Sequence, residues 1–261
     1  MEDTTAGQGR LPPELEPYLA ELGRRTEAVC GKDLVTVAAV GSVALGDYRH
    51  GRSDVDVLVV VGEETPELSL RKLAAALRHP HLPCPAAGLE LVVYSAEFVA
   101  ASSQDAGYLL DLNTGSLLPE KTSFDVSDSS AFWYVIDRSI AHQSGLPLLG
   151  RHPRDVIAPG SRQDLLAAVR SSVREHTAGI GHLPDNRVLN GCRSLMYSRT
   201  GRWMPKTAAA EQVLPSAGAF AGLITAALHS FALPRQSAAD LRTADVQAFM
   251  LWVLREVEAT T

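Results

Sequence analysis

Residues 34–61 read LVTVAAVGSVALGDYRHGRSDVDVLVVV. This stretch contains two short runs rich in Val, residues 34–40 and 54–61, and β-branched runs bounded by Gly and polar residues predict buried strands. Between them, the small residues of 42–46 predict a short helix that begins near Ser42. The stretch therefore predicts a strand–helix–strand unit, with a polar loop before the second strand, at the centre of an α/β layer.

The flanking segments extend this layer and then change in character. Residues 14–30 and 68–78 have the apolar spacing of amphipathic helices, and residues 89–94 form a third apolar strand. After Tyr94 the apolar periodicity is helical, in segments 132–140, 163–175, 186–198, 217–231 and 245–258. The order of elements predicts a small mixed sheet followed by a set of packed helices.

This change in periodicity predicts two domains and an α+β fold class. We expect an N-terminal α/β domain with a small mixed sheet over residues 1–157, and a C-terminal α-helical bundle over residues 158–261. Pro159 and Gly160 mark the boundary, because these residues interrupt regular structure.

Composition limits the class of protein. The chain has 261 residues, of which 46% are hydrophobic and 21% charged, as is typical of a soluble globular protein. Its net charge of −6 argues against a surface that neutralises nucleic-acid phosphates, so no nucleic-acid partner is expected. The charge is −9 over residues 1–157 and +3 over residues 158–261. This asymmetry suits metal and phosphate binding from opposite sides, although chance surface variation explains it equally well.

Cysteine usage and hydropathy predict a cytoplasmic protein with no membrane partner. The three cysteines, Cys30, Cys84 and Cys192, are far apart and odd in number, which fits reduced thiols better than a disulfide framework or a zinc site. The chain has no run of about 18 apolar residues, which a membrane span needs.

Asp54 and Asp56 form the single Asp-x-Asp pattern of the chain. Residues i and i+2 of a strand point to the same face, so the two carboxylates project together and repel each other unless a cation joins them. Oxygen ligands of this kind suit Mg²⁺, which commonly takes one or two protein carboxylates together with substrate phosphates. Glu90 is a third carboxylate in an apolar strand, and it could ligate a metal or accept a proton from an attacking hydroxyl.

Each of these carboxylates also has a simpler interpretation. A lone Asp-x-Asp is most often a solvated strand end, and a lone Glu in a strand most often faces outward. The upstream Gly41-Ser42 favours the functional interpretation, because it follows one buried strand and opens a helix. Gly41 allows a phosphate to approach the backbone, and the Ser42 hydroxyl and nearby N–H groups can donate hydrogen bonds to it.

The spacing of these residues resembles the signature of the DNA polymerase β-like nucleotidyltransferase superfamily, and the chain as a whole is similar to the aminoglycoside adenylyltransferases that modify streptomycin and spectinomycin. Stretches of the C-terminal half resemble the helical second domain of that family. The stretches that carry the resemblance are Gly41-Ser42, Ser53-Asp54-Val55-Asp56, Phe132–Arg138, Asn186–Arg193, Thr200-Gly201 and Pro205-Lys206.

The resemblance implies an enzyme that transfers AMP from ATP, in the presence of Mg²⁺, to a hydroxyl group of a small antibiotic-like molecule that we expect to be cationic. It implies that Asp54 and Asp56 are metal ligands and that Glu90 is the general base. It also implies that Ser42, with Gly41, binds nucleotide phosphate. Arg193 and Lys206 resemble the cations that reach the triphosphate from the second domain.

The acceptor is less closely defined. Relatives that modify streptomycin have a Trp and an Asp a few residues before the Asn186 position, and residues 179–184 (GIGHLP) contain neither, so spectinomycin is favoured over streptomycin. Asp111, Asn113 and Asp185 are candidate contacts to the acceptor. For Asp111 and Asn113, a plain turn over residues 110–115 is the simpler interpretation.

Two other classes of function stay open. One is a nucleotidyltransferase that acts on a protein, an RNA or another small molecule. The other is a non-catalytic relative that binds a ligand. The acidic balance weighs against an RNA acceptor, and the presence of all three carboxylates weighs against a non-catalytic protein. A cleft of this type can be completed within one chain, so a monomer is expected.

Overall fold

The computed structural model of the protein describes residues 10–179 and 183–260. Helices and strands alternate in its N-terminal part. In chain order these elements are α1 (Glu16–Cys30), β1 (Leu34–Ala39), α2 (Gly41–Leu45), β2 (Val55–Val61), α3 (Glu67–Leu77), β3 (Leu89–Ser95), α4 (Ala96–Val99), β4 (Tyr108–Thr114), β5 (Lys121–Ser123), α5 (Ala131–Ser144) and β6 (Leu146–Gly150).

The C-terminal part consists of helices joined by short turns. They are α6 (Arg162–Ala178), α7 (Pro184–Thr200), α8 (Lys206–Val213), α9 (Ala221–Phe231) and α10 (Thr243–Glu258). The predicted α+β class, a mixed sheet followed by a helical part, is confirmed. Among the described residues, no helix combines the length and the apolar character that a membrane span requires.

The described strands form one mixed sheet in the order β5-β4-β3-β2-β1-β6. Strands β2 and β3 run parallel, whereas the other neighbouring pairs are antiparallel. The register places Asp56 of β2 beside Glu90 of β3, and Glu90 beside Asn113 of β4. Neighbours in register lie on the same face of a sheet, so the topology brings these three side chains into one row.

The two faces of the sheet are covered by different elements. Leu19 and Leu22 of α1 and Leu73 and Leu77 of α3 pack on the face that includes Val57. The opposite face carries Leu58, Val60 and Tyr94, which pack against α5 through residues that include Tyr134 and Ala141. Because side chains alternate along β2, Asp56 lies on the same face as Leu58 and therefore on the α5 side.

Helix α5 belongs to two cores at once. Its Val135, Ile136 and Ile140 pack into the large apolar cluster formed by the C-terminal helices, while Tyr134 and Ala141 pack on the sheet. The helix therefore connects the sheet to the helical part, although it precedes the predicted boundary at residue 157. The division into residues 1–157 and 158–261 stays a prediction.

The sequence patterns do not predict β4, β5, β6 and α8. Residues 110–115, interpreted above as a turn, lie largely in β4, where the polar Asp111 and Asn113 interrupt the apolar pattern of a buried strand. Strand β6 contains Pro147, which a strand tolerates at the edge of a sheet, as here. Part of the 179–184 stretch that favoured spectinomycin, residues 180–182, lies outside the described residues.

Candidate active site

A cleft between the sheet and the C-terminal helices collects most of the predicted site residues. It is a cavity of about 290 Å³. From the N-terminal part it is lined by Gly41, Ser42, Asp54, Asp56, Glu90 and Asn113, and from the C-terminal part by Asn186, Asn190, Arg193, Lys206 and Arg235. We refer to it as the interdomain cleft. Acidic side chains thus face basic ones across it.

The acidic wall of the cleft is built by the parallel strands. Asp54 comes directly before β2, Asp56 is its second residue, and Glu90 stands beside Asp56 on β3. The apolar residues that alternate with them hold both strands in the core, so these polar side chains can turn only toward the cleft. The prediction that Glu90 faces the Asp pair depended on this pairing of strands, and the register confirms the pairing.

Enclosure and mutual repulsion alter the acidity of this wall. Burial raises the pKa of Asp56 to about 8, and the charges of Asp54 and Asp137 contribute to the shift. Lys206 and a hydrogen bond from the Ser42 backbone act in the opposite direction. Burial also raises the pKa of Glu90 well above its usual value, again with Asp54 among the causes. The wall therefore favours protons, or another cation, over bare carboxylates.

Gly41 makes room for Asp56. Its backbone has a φ of +55°, and a Cβ atom at this position would lie 1.8 Å from Oδ2 of Asp56. The Val40 N–H donates to the Asp56 carbonyl oxygen over 2.9 Å, which fixes the turn against β2. The sequence predicts that Gly41 admits a phosphate to the backbone. In the structure its missing side chain is first needed by the Asp56 carboxylate.

Ser42 presents a polar group that lacks a partner. Its Oγ is buried and makes no hydrogen bond to any described residue. A buried hydroxyl without a partner costs free energy, and such groups are commonly satisfied by a ligand or water. Because Ser42 lines the cleft at the first turn of α2, its hydroxyl is available to an anionic group such as a phosphate.

The opposite wall supplies positive charge. Arg193 lies on α7, and Lys206 is the first residue of α8, which follows Pro205. Burial lowers the pKa of both side chains, and for Lys206 the nearby Arg193 lowers it further. Two cations held close together in a half-enclosed site are stabilised by an anionic ligand, so this wall suits a polyphosphate.

Several cleft residues were not predicted from the sequence. Asp137 of α5 lies near Arg193, and burial raises its pKa to about 6 although Arg193 opposes the shift. Asn186 and Asn190 share the cleft-facing side of α7 with Arg193, and the amide oxygens of both are buried without a hydrogen-bond partner among the described residues. The sequence contains one signal for the two Asn residues. Asn186 and Asn190 precede Arg193 by seven and three residues, a spacing that places all three side chains on one face of a helix.

A second cavity adjoins the interdomain cleft. It measures about 310 Å³ and lies between the sheet and α5. The two cavities share the side chains of Asp56, Glu90, Asn113, Trp133 and Asp137. Tyr94, Asp111, Lys121 and Tyr134 line the second cavity but not the cleft. Asp56 and Glu90 therefore stand where the two cavities meet.

The three candidate acceptor contacts have different surroundings. Asn113 lines both cavities. Asp111 lines the second cavity, where Lys121 Nζ and the Tyr134 hydroxyl each lie 2.6 Å from its Oδ2. Asp185 is fully buried and does not line the cleft. Its carboxylate accepts a hydrogen bond from Arg52 over 2.5 Å and is held in a buried ion pair, and its contact to the acceptor stays a prediction.

The donor set fits Mg²⁺ of the kind that binds together with a nucleotide. Among the described residues, no three His, Cys, Asp or Glu side chains form a group that could hold a metal ion by themselves. Mg²⁺ needs only one or two protein carboxylates when phosphates and water complete its six ligands. Asp54 and Asp56 provide such a pair at the cleft, within the same cavity as the basic wall.

Comparisons with known proteins agree with this geometry. Residues 25–98 match a family model described as a nucleotidyltransferase domain, and residues 155–256 match one described as the C-terminal domain of aminoglycoside adenylyltransferase. Together the two models cover about two thirds of the chain. No curated protein sequence gives a significant match.

The structure is similar to the crystal structure of spectinomycin adenyltransferase AAD(9) from Enterococcus faecialis with ATP and spectinomycin. The TM-score is 0.69 at 15% sequence identity, and the match covers 93% of this chain and 98% of that one. At this identity the similarity shows a shared fold. With both family models matched along one chain, the protein is a nucleotidyltransferase whose C-terminal part belongs to the aminoglycoside adenylyltransferase family.

Proposed function

We propose that the protein transfers AMP from ATP to a hydroxyl group of an aminocyclitol of the spectinomycin kind. The observation that carries this proposal is the pair of cavities that meet at Asp56 and Glu90. A transferase must bring two substrates together at its reactive groups, and these two cavities provide separate space for each of them.

The interdomain cleft suits the nucleotide. Arg193 and Lys206 face the acidic wall and would hold the β- and γ-phosphates, with the unpartnered Ser42 hydroxyl donating from the other side. Asp54 and Asp56 would hold Mg²⁺, which offsets negative charge on the triphosphate and on the departing pyrophosphate. Positioning and charge stabilisation dominate phosphoryl-transfer catalysis, and this set of residues supplies both.

The second cavity suits the acceptor. It borders Glu90, Asp111 and Asp137, so its walls are acidic and favour a molecule that carries an ammonium group. The Asp111 carboxylate is already paired with Lys121, which leaves Glu90 and Asp137 as the acidic groups of this cavity that a cationic substituent of the acceptor would stabilise. The AAD(9) structure was solved with spectinomycin, and this supports an aminocyclitol as the first acceptor to examine.

Glu90 would act as the general base. The acceptor oxygen forms a bond to the α-phosphorus, the bond from that phosphorus to the pyrophosphate oxygen breaks, and the hydroxyl proton passes to the Glu90 carboxylate. The raised pKa of Glu90 makes it a stronger base than an exposed glutamate, and a base is most effective when its pKa lies near the working pH. Asp56, which stands beside Glu90, is better suited to the metal because it also borders Gly41 and Ser42.

The test is transfer of label from α-³²P-ATP in the presence of Mg²⁺, with spectinomycin, streptomycin, tRNA or no added acceptor. We expect labelled spectinomycin and no labelled streptomycin. Label on RNA, or on protein in the absence of an acceptor, would favour the macromolecular alternative instead. The variant Glu90→Gln should bind Mg-ATP within about twofold of wild type yet transfer AMP at least about 100 times more slowly, since an amide cannot take the proton.

A further inference from the structure

An ion pair that lines the second cavity has no role in the proposed transfer step. Lys121 Nζ lies 2.6 Å from Oδ2 of Asp111, and Asp111 is 5% exposed. The Tyr134 hydroxyl donates to the same oxygen over 2.6 Å. Burial, together with this hydrogen bond, raises the pKa of Tyr134, so the hydroxyl keeps its proton and stays a donor. Two donors therefore hold one oxygen of the Asp111 carboxylate.

The other carboxylate oxygen of Asp111 has no such partner. Oδ1 makes no hydrogen bond to any described residue, because both donors are directed to Oδ2. Asp111 lines the second cavity and is otherwise buried, so Oδ1 is open toward that cavity. The ion pair thus presents a fixed hydrogen-bond acceptor to the space that we assign to the aminocyclitol.

Lys121 presents a hydrogen-bond donor beside it. An ammonium group has three N–H donors. One of them is directed to Asp111 and one to the Ser129 hydroxyl, and Lys121 makes no further hydrogen bond to a described residue. Lys121 and Ser129 both line the second cavity. The pair, which we call the Asp111–Lys121 pair, therefore offers one donor and one acceptor side by side.

Charge indicates which kind of group the Asp111–Lys121 pair suits. Its net charge is zero, and an ammonium group at Asp111 would be repelled by Lys121 at close range. A hydroxyl group is not repelled, and it can both donate and accept a hydrogen bond. Glu90 and Asp137 line the same cavity and remain available to a cation.

The sheet register separates the pair from the reacting hydroxyl. Asp111 stands opposite Val92, and Glu90 stands opposite Asn113, so Asp111 and Glu90 are diagonal neighbours on one face of the sheet. Diagonal neighbours lie about 7–8 Å apart, a distance that a substituted six-membered ring spans. A single small cyclic molecule can therefore contact Glu90 and the Asp111–Lys121 pair at once.

We propose that the Asp111–Lys121 pair recognises neighbouring uncharged hydroxyl groups of the aminocyclitol. Asp111 Oδ1 accepts a hydrogen bond from one of them, and Lys121 Nζ donates a hydrogen bond to the oxygen of the other. The inference rests on the proposed function, because it assigns a specificity-determining contact within the same site. It also orients the substrate, with its hydroxyl-bearing end at the pair and its ammonium group beside Glu90 and Asp137.

The experiment uses the full-length protein with spectinomycin as the probe, and measures the KM for spectinomycin and the Kd for Mg-ATP. The double variant Asp111→Leu/Lys121→Met removes both hydrogen-bonding groups but leaves the net charge unchanged, and apolar residues commonly replace a buried ion pair without loss of stability. It should raise the KM at least about tenfold, the loss typical of hydrogen bonds to charged groups, and leave the Kd within about twofold.

The matched control is Arg199→Met/Glu256→Leu. It also removes an ion pair at constant net charge, and neither residue lines either cavity. The control should leave the KM within about twofold of wild type. A KM that is equally unchanged in Asp111→Leu/Lys121→Met would overturn the inference.

Salt distinguishes an uncharged hydroxyl group from an ammonium group at this pair. Titration calorimetry with a non-hydrolysable ATP analogue measures the Kd for spectinomycin in wild type and double variant, at about 0.05 M and about 0.5 M NaCl. The variant-to-wild-type ratio of Kd should change by less than about twofold, because salt screens charge–charge attraction more than hydrogen bonds to a neutral group. A ratio that falls toward one at high salt would show that the pair binds an ammonium group, and would overturn the inference.

Because binding is measured apart from transfer, the inference and the proposed function can fail separately. A wild type that binds spectinomycin, with the expected loss in the double variant, but transfers no AMP would refute the proposed function and support the role of the pair. AMP transfer to spectinomycin with an unchanged Kd in the double variant would refute the inference alone. A wild type that does not bind spectinomycin would refute both.

Discussion

Gly41 and Asp56 constrain each other at the base of the interdomain cleft. The Asp56 carboxylate occupies the space that a side chain at position 41 would need, and the turn that Gly41 forms is bonded to the Asp56 backbone. Asp56, the proposed metal ligand, can therefore occupy this position only because residue 41 has no Cβ atom. A position that combines a positive φ with such close approach tolerates glycine alone.

Gly41→Ala should therefore damage both stability and nucleotide binding. Gly46→Ala is the matched control, because Gly46 also has a positive φ but has open space around its missing Cβ. We expect Gly46→Ala to cost about 1 kcal/mol of unfolding free energy, the usual penalty for that backbone conformation. Gly41→Ala should cost about 2 kcal/mol more and weaken Mg-ATP binding at least about tenfold. Urea denaturation and calorimetry measure the two effects, and equal behaviour of the variants would contradict the role of Asp56.

At the residue scale, spacing in the sequence predicted the carboxylates of the acidic wall but few of the residues that surround them. Asp54 and Asp56 follow from the period of a strand, and Glu90 needed only the pairing of its strand with β2. Asp137 lies on a helix that no local pattern connects to the sheet, and its approach to the cleft depends on tertiary packing. Asp185 carries the same chemical group but is withdrawn into an ion pair with Arg52, which no local pattern indicates.

Helix α5 is the element that joins the two halves of the site. It packs on the sheet with one side and in the helical core with another, and it carries Trp133 and Asp137 to the boundary between the two cavities. The sequence predicts that this segment is helical, but it does not predict which elements the helix packs against. For strand β4 the local pattern itself was misleading. Asp111 and Asn113 face the cavities, and these polar side chains weaken the apolar pattern by which a strand is recognised in a sequence.

The pKa of Asp137 on α5 predicts a pH dependence of stability. Burial raises this pKa to about 6, so the folded protein holds the proton more tightly than the unfolded chain does. Stability contributed by the protonated form is present at low pH and is lost as pH rises from about 4 to about 6.5. Relative to Asp137→Asn, wild type should lose about 1–2 kcal/mol of unfolding free energy over this pH range. This is less than the full pKa shift implies, because the Asp137 side chain is partly solvated.

Thermal unfolding of wild type and Asp137→Asn at pH 4.5, 5.5, 6.5 and 7.5 measures this difference. The gap in Tm should open in favour of the variant as pH increases. A gap that opens in favour of wild type would show that Arg193 stabilises the charged Asp137 more than burial opposes it, and a constant gap would show that the two effects cancel. Either result would contradict the prediction.

At the scale of the whole molecule, a buried ion pair connects the domains beside the site. Arg52 lies two residues before Asp54, and its guanidinium donates to Asp185 on α7 over 2.5 Å. It also donates to the carbonyl oxygens of Ser230 and Leu233, and it stacks over the ring of Phe231 at 4.8 Å. The loop that leads into the acidic wall is thereby tied to α7, the helix that carries Arg193 of the basic wall.

Replacing Arg52 with Met should be strongly destabilising, because it leaves the Asp185 carboxylate buried without its cation. We expect a loss of about 3–5 kcal/mol in urea denaturation. Arg78→Met is the matched control. Arg78 pairs with Glu120 at the surface, where the two side chains are 49% and 45% exposed, and such pairs contribute less than about 1 kcal/mol. A loss in Arg52→Met as small as that of the control would mean that the ion pair does not hold the domains together.

The general plan of the molecule was predictable because periodicity changes once, from strands with short helices to helices alone. The contact between the two parts was not, since it depends on Arg52, Asp185 and the two-sided helix α5, whose partners are distant in sequence. The resemblance to nucleotidyltransferases predicted that acidic residues of the N-terminal part face basic residues of the C-terminal part across a cleft. The uneven charge of the two parts did not by itself decide this.

The most direct test is a crystal structure with Mn²⁺ and a non-hydrolysable ATP analogue, in which anomalous scattering locates the metal. We expect a Mn²⁺ peak within coordination distance of Asp54 and Asp56, with the triphosphate between the Ser42 hydroxyl and the side chains of Arg193 and Lys206. A nucleotide bound elsewhere, or a metal held without either aspartate, would contradict it.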